Sequence, residues 1–220
     1  MIRRALGALA WLWLGVGLAL AARAAIAHDA ARARWSAEAA RLGSADYDRA
    51  ASERHYAAAL ADRDAASRVS WITAPAWLLW FLSRRGGAAG PRHAGRRAHG
   101  AALADGAVTA ALVGVSFAIE GWLGADRAGW GALAGPQLVG VAVGHAWGGL
   151  ATGSSIGARS LRVTVCDAAG RPAGALRGLA ALALGPIALP WSLVSLARGA
   201  SGAPVHLSWT GLEVRDRPDG

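Results

Sequence analysis

Two apolar stretches decide the fold: AALADGAVTAALVGVSFAI at residues 101–119 and ALAGPQLVGVAVGHAWGGL at residues 132–150. Asp105 is the only acidic residue in either stretch, and neither contains arginine or lysine. A helix rises 1.5 Å per residue, so each stretch is nearly long enough to cross the ~30 Å hydrocarbon core of a bilayer. An ionised side chain at the bilayer centre costs at least ~2.5 kcal/mol, which explains why charge is so scarce. Both stretches therefore predict membrane-spanning helices.

Three further apolar runs lie at residues 5–22, 69–83 and 178–197. The run at 69–83 is short for a span and contains Pro75, so we expect its helix to extend into the preceding segment or to lie partly in the interface. The run at 178–197 has prolines and a glycine near its centre, which predict either a kinked crossing or a re-entrant hairpin. The sequence thus predicts an all-α integral membrane protein with four to five transmembrane or re-entrant helices.

Residues 1–27 form an N-terminal transmembrane anchor in this interpretation. Two arginines precede the apolar run, as they do in anchors and in signal peptides. The A-x-A sequence at residues 25–27 matches a signal-peptidase site, so a cleaved signal peptide is the alternative. The run is longer than the usual apolar core of a signal peptide, which favours the uncleaved anchor.

Residues 28–68 are polar, rich in alanine and free of proline. This composition predicts a solvated helical segment, and Gly43 is expected to break it near its middle. Large apolar residues are sparse, so the segment lacks a strong packing face. We expect it to form an extracytoplasmic helical segment between the first two membrane segments, at 1–27 and 69–83.

The charge distribution predicts the orientation of the chain. All 23 basic residues are arginine, which is typical of a GC-rich, bacterial genome. Arginines are concentrated in residues 84–100, which contain no acidic residue. By the positive-inside rule this segment is predicted to be a basic cytoplasmic linker. The arginines flank apolar runs and do not form one basic patch, so they predict membrane topology and no nucleic-acid partner. The expected location is the cell (inner) membrane, with several crossings.

Several kinds of chemistry are excluded by composition. Without lysine there is neither Schiff-base chemistry nor a standard P-loop, and Cys166 has no second cysteine with which to form a disulfide or a thiolate metal site. Residues 153–157 match the G-x-S-x-G pattern of serine hydrolases, but the chain lacks the alternating strands and helices that such an elbow needs. We therefore expect no enzyme activity, no cofactor and no metal.

Small residues and a short extended segment mark the second half of the chain. Gly140, Gly144 and Gly148 recur at four-residue spacing and predict one helical face on which another helix packs closely. Residues 161–165 alternate in polarity like a short strand. Residues 101–220 are expected to form one membrane domain.

From about residue 96 to residue 214 the chain resembles the RDD family of small bacterial membrane proteins, which are named for one arginine and two aspartates. Arg97 and Asp105 match the family's arginine and first aspartate, and residues 155–159 with the strand after them match its T-P-G-K-R segment. Arg177 and the stretch from His206 to residue 214 match the end of the domain, although leucine replaces the aspartate that follows the histidine. The resemblance implies an RDD-like membrane domain whose biochemistry is unsettled and for which transport has been suggested.

Asp105 is the most informative residue, because a carboxylate within an apolar helix needs a partner, water or a proton. Arg97 and His145 are the candidate partners. The site is either an ion or proton site between helices or a fixed polar contact that locks helices together. The full candidate polar membrane site consists of Arg97, Asp105, His145, Arg159, Arg177 and His206.

Two functions follow from these alternatives. The first is a structural or accessory role in the membrane, with the lipid bilayer and a homo-oligomer or membrane protein as partners. The second is a small ion or solute transport component that uses Asp105.

Overall fold

The computed structural model describes residues 2–42, 49–84, 86, 88–90, 95–124, 127–199 and 202–218. The chain is mostly helical, as expected, with one small sheet. In chain order the elements are α1 (Ile2–Leu42), α2 (Arg49–Thr73), α3 (Pro75–Ser83), α4 (Arg96–Leu123), α5 (Ala128–Val143), a π-helical turn (Gly144–Gly148), α6 (Gly149–Thr152), α7 (Ile156–Ser160), β1 (Val163–Asp167), α8 (Gly174–Ala197), α9 (Val205–Trp209) and β2 (Leu212–Asp216).

The chain divides into two compact units. The first unit contains Met1–Leu9, Trp77–Ala111 and Val141–Gly220, and the second contains Ala10–Ala76 and Leu112–Gly140.

Among the described residues, three helices are long and apolar enough to cross a membrane by length and composition, namely α1 over Ile2–Arg41, α4 over Arg96–Ile119 and α8 over Gly174–Ala197. Many of their large apolar side chains are exposed: Phe117 is 82% exposed and Ile187 is 64% exposed. Burial in a soluble core does not account for these side chains.

Helix α1 continues from the first apolar run into the polar segment without a break. No glycine or proline occurs between Gly17 and Gly43, and alanine, the strongest helix former, dominates the interval. The expected break at Gly43 falls on a residue outside the described part of the chain; α1 ends at Leu42 and α2 begins at Arg49.

The apolar run at 69–83 is divided between α2 and α3. Pro75 begins α3, and the amide of Ala74 still donates to the carbonyl of Ser70, so the helical path is nearly continuous across the proline. Proline is well tolerated at the first position of a helix, where its missing N–H has no intrahelical partner to lose. As expected, the helix takes up residues of the preceding polar segment.

The apolar run at 178–197 lies within a single helix, α8, and the described structure contains no hairpin in this run. Pro186 and Pro190 are inside the helix, where each removes one backbone hydrogen bond without ending it. The small residues Gly178, Ala181 and Ala188 are buried, whereas Leu176 and Trp191 are exposed.

The only described sheet is an antiparallel pair of β1 and β2 in the first unit. The strand expected at residues 161–165 begins two residues later, because Arg162 takes a positive φ of 54° that no regular strand allows. The register pairs Val165 with Val214 and Asp167 with Leu212. Strand β2 was not expected from the sequence.

Each unit has its own buried core. In the first unit, apolar side chains from β1 and β2 pack with residues of α4, α7, α8 and α9; this core contains Ala98, Ala101, Ala158, Val163, Val165, Ala181, Leu207, Leu212 and Val214. In the second unit the buried cluster consists of three alanines, Ala25, Ala66 and Ala132, on α1, α2 and α5. Alanine lets helices approach closely, which is the usual way to pack helices in lipid.

Candidate functional site

The carboxylate of Asp105 on α4 is held by the chain segment that begins α7. Its Oδ1 accepts a hydrogen bond from the amide of Gly157 at 2.7 Å, and its Oδ2 accepts one from the Ser155 hydroxyl at 2.5 Å. Free amides at the start of a helix favour a negative charge nearby. Asp105 therefore caps α7 from a neighbouring helix, while its side chain keeps 22% of its surface exposed.

Ser155 and Gly157 are the residues that make this contact possible. Ser155 is the N-cap of α7, and its hydroxyl accepts from the amide of Ala158 while it donates to Asp105. A Cβ atom at Gly157 would overlap the carbonyl oxygen of Ala101, so no larger residue fits there. The glycine brings the backbone of α7 directly onto α4.

His145 completes the site from the π-helical turn. Its ring is 1% exposed, and its Nε2 lies 3.4 Å from Oδ1 of Asp105. The amide of Ile156 donates to the same Nε2 at 3.2 Å, which assigns the ring proton to Nδ1 in the neutral form. Nδ1 is buried and has no hydrogen-bond partner in the described structure. A π-helical turn is rare and is frequently found at functional sites.

Ser155, Asp105 and His145 do not have the geometry of a catalytic triad. The imidazole lies beside the carboxylate, and the Ser155 hydroxyl donates to Asp105 and accepts from the Ala158 amide, so its proton is not directed to the histidine. Ser155 is also 6% exposed, so a substrate carbonyl has little access to it. The arrangement supports helix capping and does not support nucleophilic attack.

Arg97 was one of the two partners considered for the Asp105 carboxylate, but the two side chains are not in contact. Its guanidinium forms an ion pair with Asp216 on β2, with Nη2 2.6 Å from Oδ1. Asp105 lies eight positions after Arg97, which is about 12 Å along a helix. Side chains on a helix also lean towards its N-terminus, which directs the arginine away from the aspartate.

The other residues of the candidate set lie apart from Asp105. Arg159 is exposed on α7 and donates from Nε to the Ser154 hydroxyl at 2.9 Å. Arg177 is exposed in the first turn of α8. His206 is half-buried on α9, and burial together with the charge of nearby His99 lowers the pKa of its ring.

The three spaced glycines lie against the chain that contains α2 and α3. In the second unit, a Cβ at Gly140 would lie 2.7 Å from the carbonyl oxygen of Ala74. In the first unit, a Cβ at Gly144 would lie 2.8 Å from Cδ2 of Phe81, and one at Gly148 would meet the Cβ of the same phenylalanine. Each glycine thus occupies a close helix contact.

A second polar cluster, absent from the sequence-based set, lies in the second unit. The Gln137 amide donates to the Ser70 hydroxyl at 3.0 Å and to the Thr73 hydroxyl at 2.9 Å, and the Ser70 hydroxyl donates to the carbonyl of Leu133 at 2.5 Å. All three polar side chains are buried. A glutamine within an apolar run was the available signal, since such a group needs partners from a neighbouring helix.

The described residues contain no cluster of three or more histidine, cysteine, aspartate or glutamate side chains that could hold a metal ion. Cys166 is buried in β1, and burial raises the pKa of its thiol, which keeps it protonated.

No protein-family model, no curated protein and no solved structure matches this chain.

Proposed function

We propose that this chain is an integral protein of the bacterial inner membrane, with an RDD-like domain from about residue 96 to residue 214 and a structural or accessory role. The exposed apolar surface of the long helices carries the proposal. Exposed apolar patches of this extent on a water-soluble monomer are rare, whereas lipid covers them at no cost.

Four helical paths are assigned to cross the bilayer: α1, α3 with the end of α2, α4, and α5 continued through the π-helical turn into α6. The last path is helical from Ala128 to Thr152, which exceeds the ~30 Å hydrocarbon thickness. In the second unit a Cβ at Gly17 of α1 would overlap the Thr73 side chain, and in the first unit a Cβ at Gly7 would lie 3.2 Å from the Ser83 hydroxyl. Within each unit, α1 thus packs against part of the path that contains α3.

The fifth apolar helix, α8, is assigned to the membrane surface and not to a crossing. Near its beginning, Trp147 donates to the carbonyl of Ala175 and Gly178 packs on Ala151. Just beyond its end, Gly199 lies close to the Arg96 guanidinium, at the start of α4. The strands before and after α8 pair with each other, which a single crossing would prevent. These contacts support a helix that lies along one face of the bilayer, with its large apolar side chains in the lipid.

The positive-inside rule identifies the face of the bilayer that carries α8 as the cytoplasmic one. By this rule we assign both arginine-rich segments, residues 84–100 and 152–177, to the cytoplasmic side. The amide of Gly90 in the linker donates to the carbonyl of Asp216, so β2 lies on the same side as the linker. We assign the polar segment at residues 28–68 to the extracytoplasmic side. There the His28 ring bonds the carbonyl of Ala59.

The contacts of Asp105 favour the structural role. Each of its oxygens accepts a hydrogen bond from the α7 segment, so the carboxylate is already satisfied without an ion. The transport alternative rests on a different observation: the buried Nδ1 of His145 lacks a partner beside a carboxylate that remains partly exposed. Such a pair has the chemistry to exchange a proton.

Flux measurements on the purified protein in liposomes distinguish the two roles. For a structural role we expect wild-type and Asp105→Asn proteins to dissipate imposed proton, sodium and potassium gradients no faster than protein-free liposomes. A gradient that wild type dissipates and Asp105→Asn does not would establish the transport role instead, provided that both proteins give the same near-UV circular dichroism.

A further inference from the structure

Three arginines of the first unit, Arg84, Arg159 and Arg217, form what we call the basic cluster. The backbone brings two of them together through the turn after α7. The amide of Arg162 donates to the carbonyl of Arg159, and the amide of Arg217 donates to the carbonyl of Arg162 at 2.9 Å. Arg217 therefore leaves β2 directly beside the turn that carries Arg159.

Arg84 joins the basic cluster from the end of α3. Its guanidinium lies over the Trp80 ring, 4.8 Å from the centroid. Two described glycines of the linker contact the same part of the unit: a Cβ at Gly86 would lie 2.6 Å from the carbonyl oxygen of Thr152, and the amide of Gly90 donates to the carbonyl of Asp216, the residue before Arg217. Burial, followed by the charges of Arg84 and Arg217, lowers the pKa of Arg159.

The described carboxylates of the first unit form hydrogen bonds or ion pairs with groups outside the basic cluster. Asp105 accepts from Ser155 and Gly157, as described above. The remaining three form ion pairs with arginines outside the cluster: Asp167 with Arg171, Glu213 with Arg215 and Asp216 with Arg97. The basic cluster therefore holds three like charges without a described carboxylate to neutralise them, which favours the binding of an external anion.

We propose that the basic cluster binds the phosphate of an anionic phospholipid headgroup in the cytoplasmic leaflet. The inference rests on the membrane location proposed above. Guanidinium groups match the geometry of phosphate oxygens and bind them with charge-assisted, bidentate hydrogen bonds. Three guanidinium groups would repel the ammonium of a zwitterionic headgroup, so the site selects lipids with a net negative charge.

A lipid fits the surroundings of the cluster better than a free phosphate ion does. Trp80 lies near the end of an apolar helix, the position at which tryptophan marks a membrane interface. Ile156 is 50% exposed and lies three residues before Arg159, on the same side of α7. An exposed apolar side chain next to an exposed guanidinium suits the boundary between an acyl chain and its headgroup.

Native mass spectrometry of the full-length protein in a neutral detergent tests the site. Wild type is offered phosphatidylglycerol and phosphatidylcholine with identical acyl chains, and glycerol 3-phosphate in a separate arm. We expect preferential retention of phosphatidylglycerol, and on the order of tenfold weaker retention in the triple variant Arg84→Gln, Arg159→Gln, Arg217→Gln. The matched control, Arg34→Gln, Arg41→Gln, Arg54→Gln, removes the same charge from exposed positions outside the cluster and should retain the lipid as wild type does.

Equal retention of the two lipids by wild type would contradict the proposed lipid site. Equal loss of lipid retention in the two triple variants would contradict it as well. If glycerol 3-phosphate binds as strongly as the lipid, the proposal of a lipid ligand is wrong and the site binds a soluble phosphate. Thermal unfolding in phosphatidylcholine checks folding: removal of three mutually repelling charges should leave the midpoint unchanged or raise it. If the triple variant does not fold, Arg217→Gln alone is measured and should weaken retention in the same direction. Failure of the membrane location would appear separately, as a wild-type chain that stays in solution without detergent.

Discussion

Asp105→Ala is expected to lower the free energy of unfolding by about 3 kcal/mol or more, because it leaves the Gly157 amide and the Ser155 hydroxyl without their acceptor. His145 would also lose its only charged neighbour in the described structure. The measurement is a titration with sodium dodecyl sulfate in mixed micelles, followed by tryptophan fluorescence.

Asp105→Asn is the matched control for this prediction. It keeps one carbonyl oxygen for the Gly157 amide and places an amide donor beside the Ser155 oxygen, so we expect about half of the loss. Unfolding of Asp105→Ala at the wild-type detergent fraction would contradict the capping role of the carboxylate.

Gly140→Leu is expected to destabilise the protein by about 3 kcal/mol, since overpacking a close helix contact forces backbones apart. A Cβ at this position would already lie 2.7 Å from the Ala74 carbonyl oxygen and 3.0 Å from its Cα, and backbone atoms cannot move aside as a flexible side chain can. The same detergent titration measures the effect.

Gly114→Leu supplies the control in the same unit. A Cβ at Gly114 meets no atom within 4 Å, so we expect a change within about 0.5 kcal/mol. Equal destabilisation by the two substitutions would show that the lost glycine itself, and not the contact with Ala74, is responsible.

The helical content was predictable because each apolar run is continuous and its length alone indicates a helix. The division of the run at 69–83 and the continuation of α1 into the polar segment were not predicted, although Pro75 explains the first and the absence of glycine and proline between Gly17 and Gly43 explains the second. The sequence left open whether the run at 178–197 crosses or re-enters, because prolines can kink or end a helix. The proposed surface location of α8 rests on the contacts at its two ends, near Ala175 and Gly199, and on the pairing of β1 with β2.

The candidate site was predictable only in part. Asp105 stood out as a carboxylate in an apolar helix, and His145 was one of two partners considered. The donors that hold the carboxylate, Ser155 and the Gly157 amide, come from a short helix whose position depends on long-range packing. The pairing of Arg97 with Asp216 likewise depends on β2, which is five residues long and carries little signal in the sequence.

Alkaline carbonate extraction of membranes from cells that express the full chain tests the central claim most directly, because it removes peripheral proteins and leaves integral ones in the pellet. Integration through α1, α3, α4 and α5 predicts that the chain stays in the pellet and is released only by detergent. Recovery of folded, monomeric protein in the detergent-free supernatant would contradict the account.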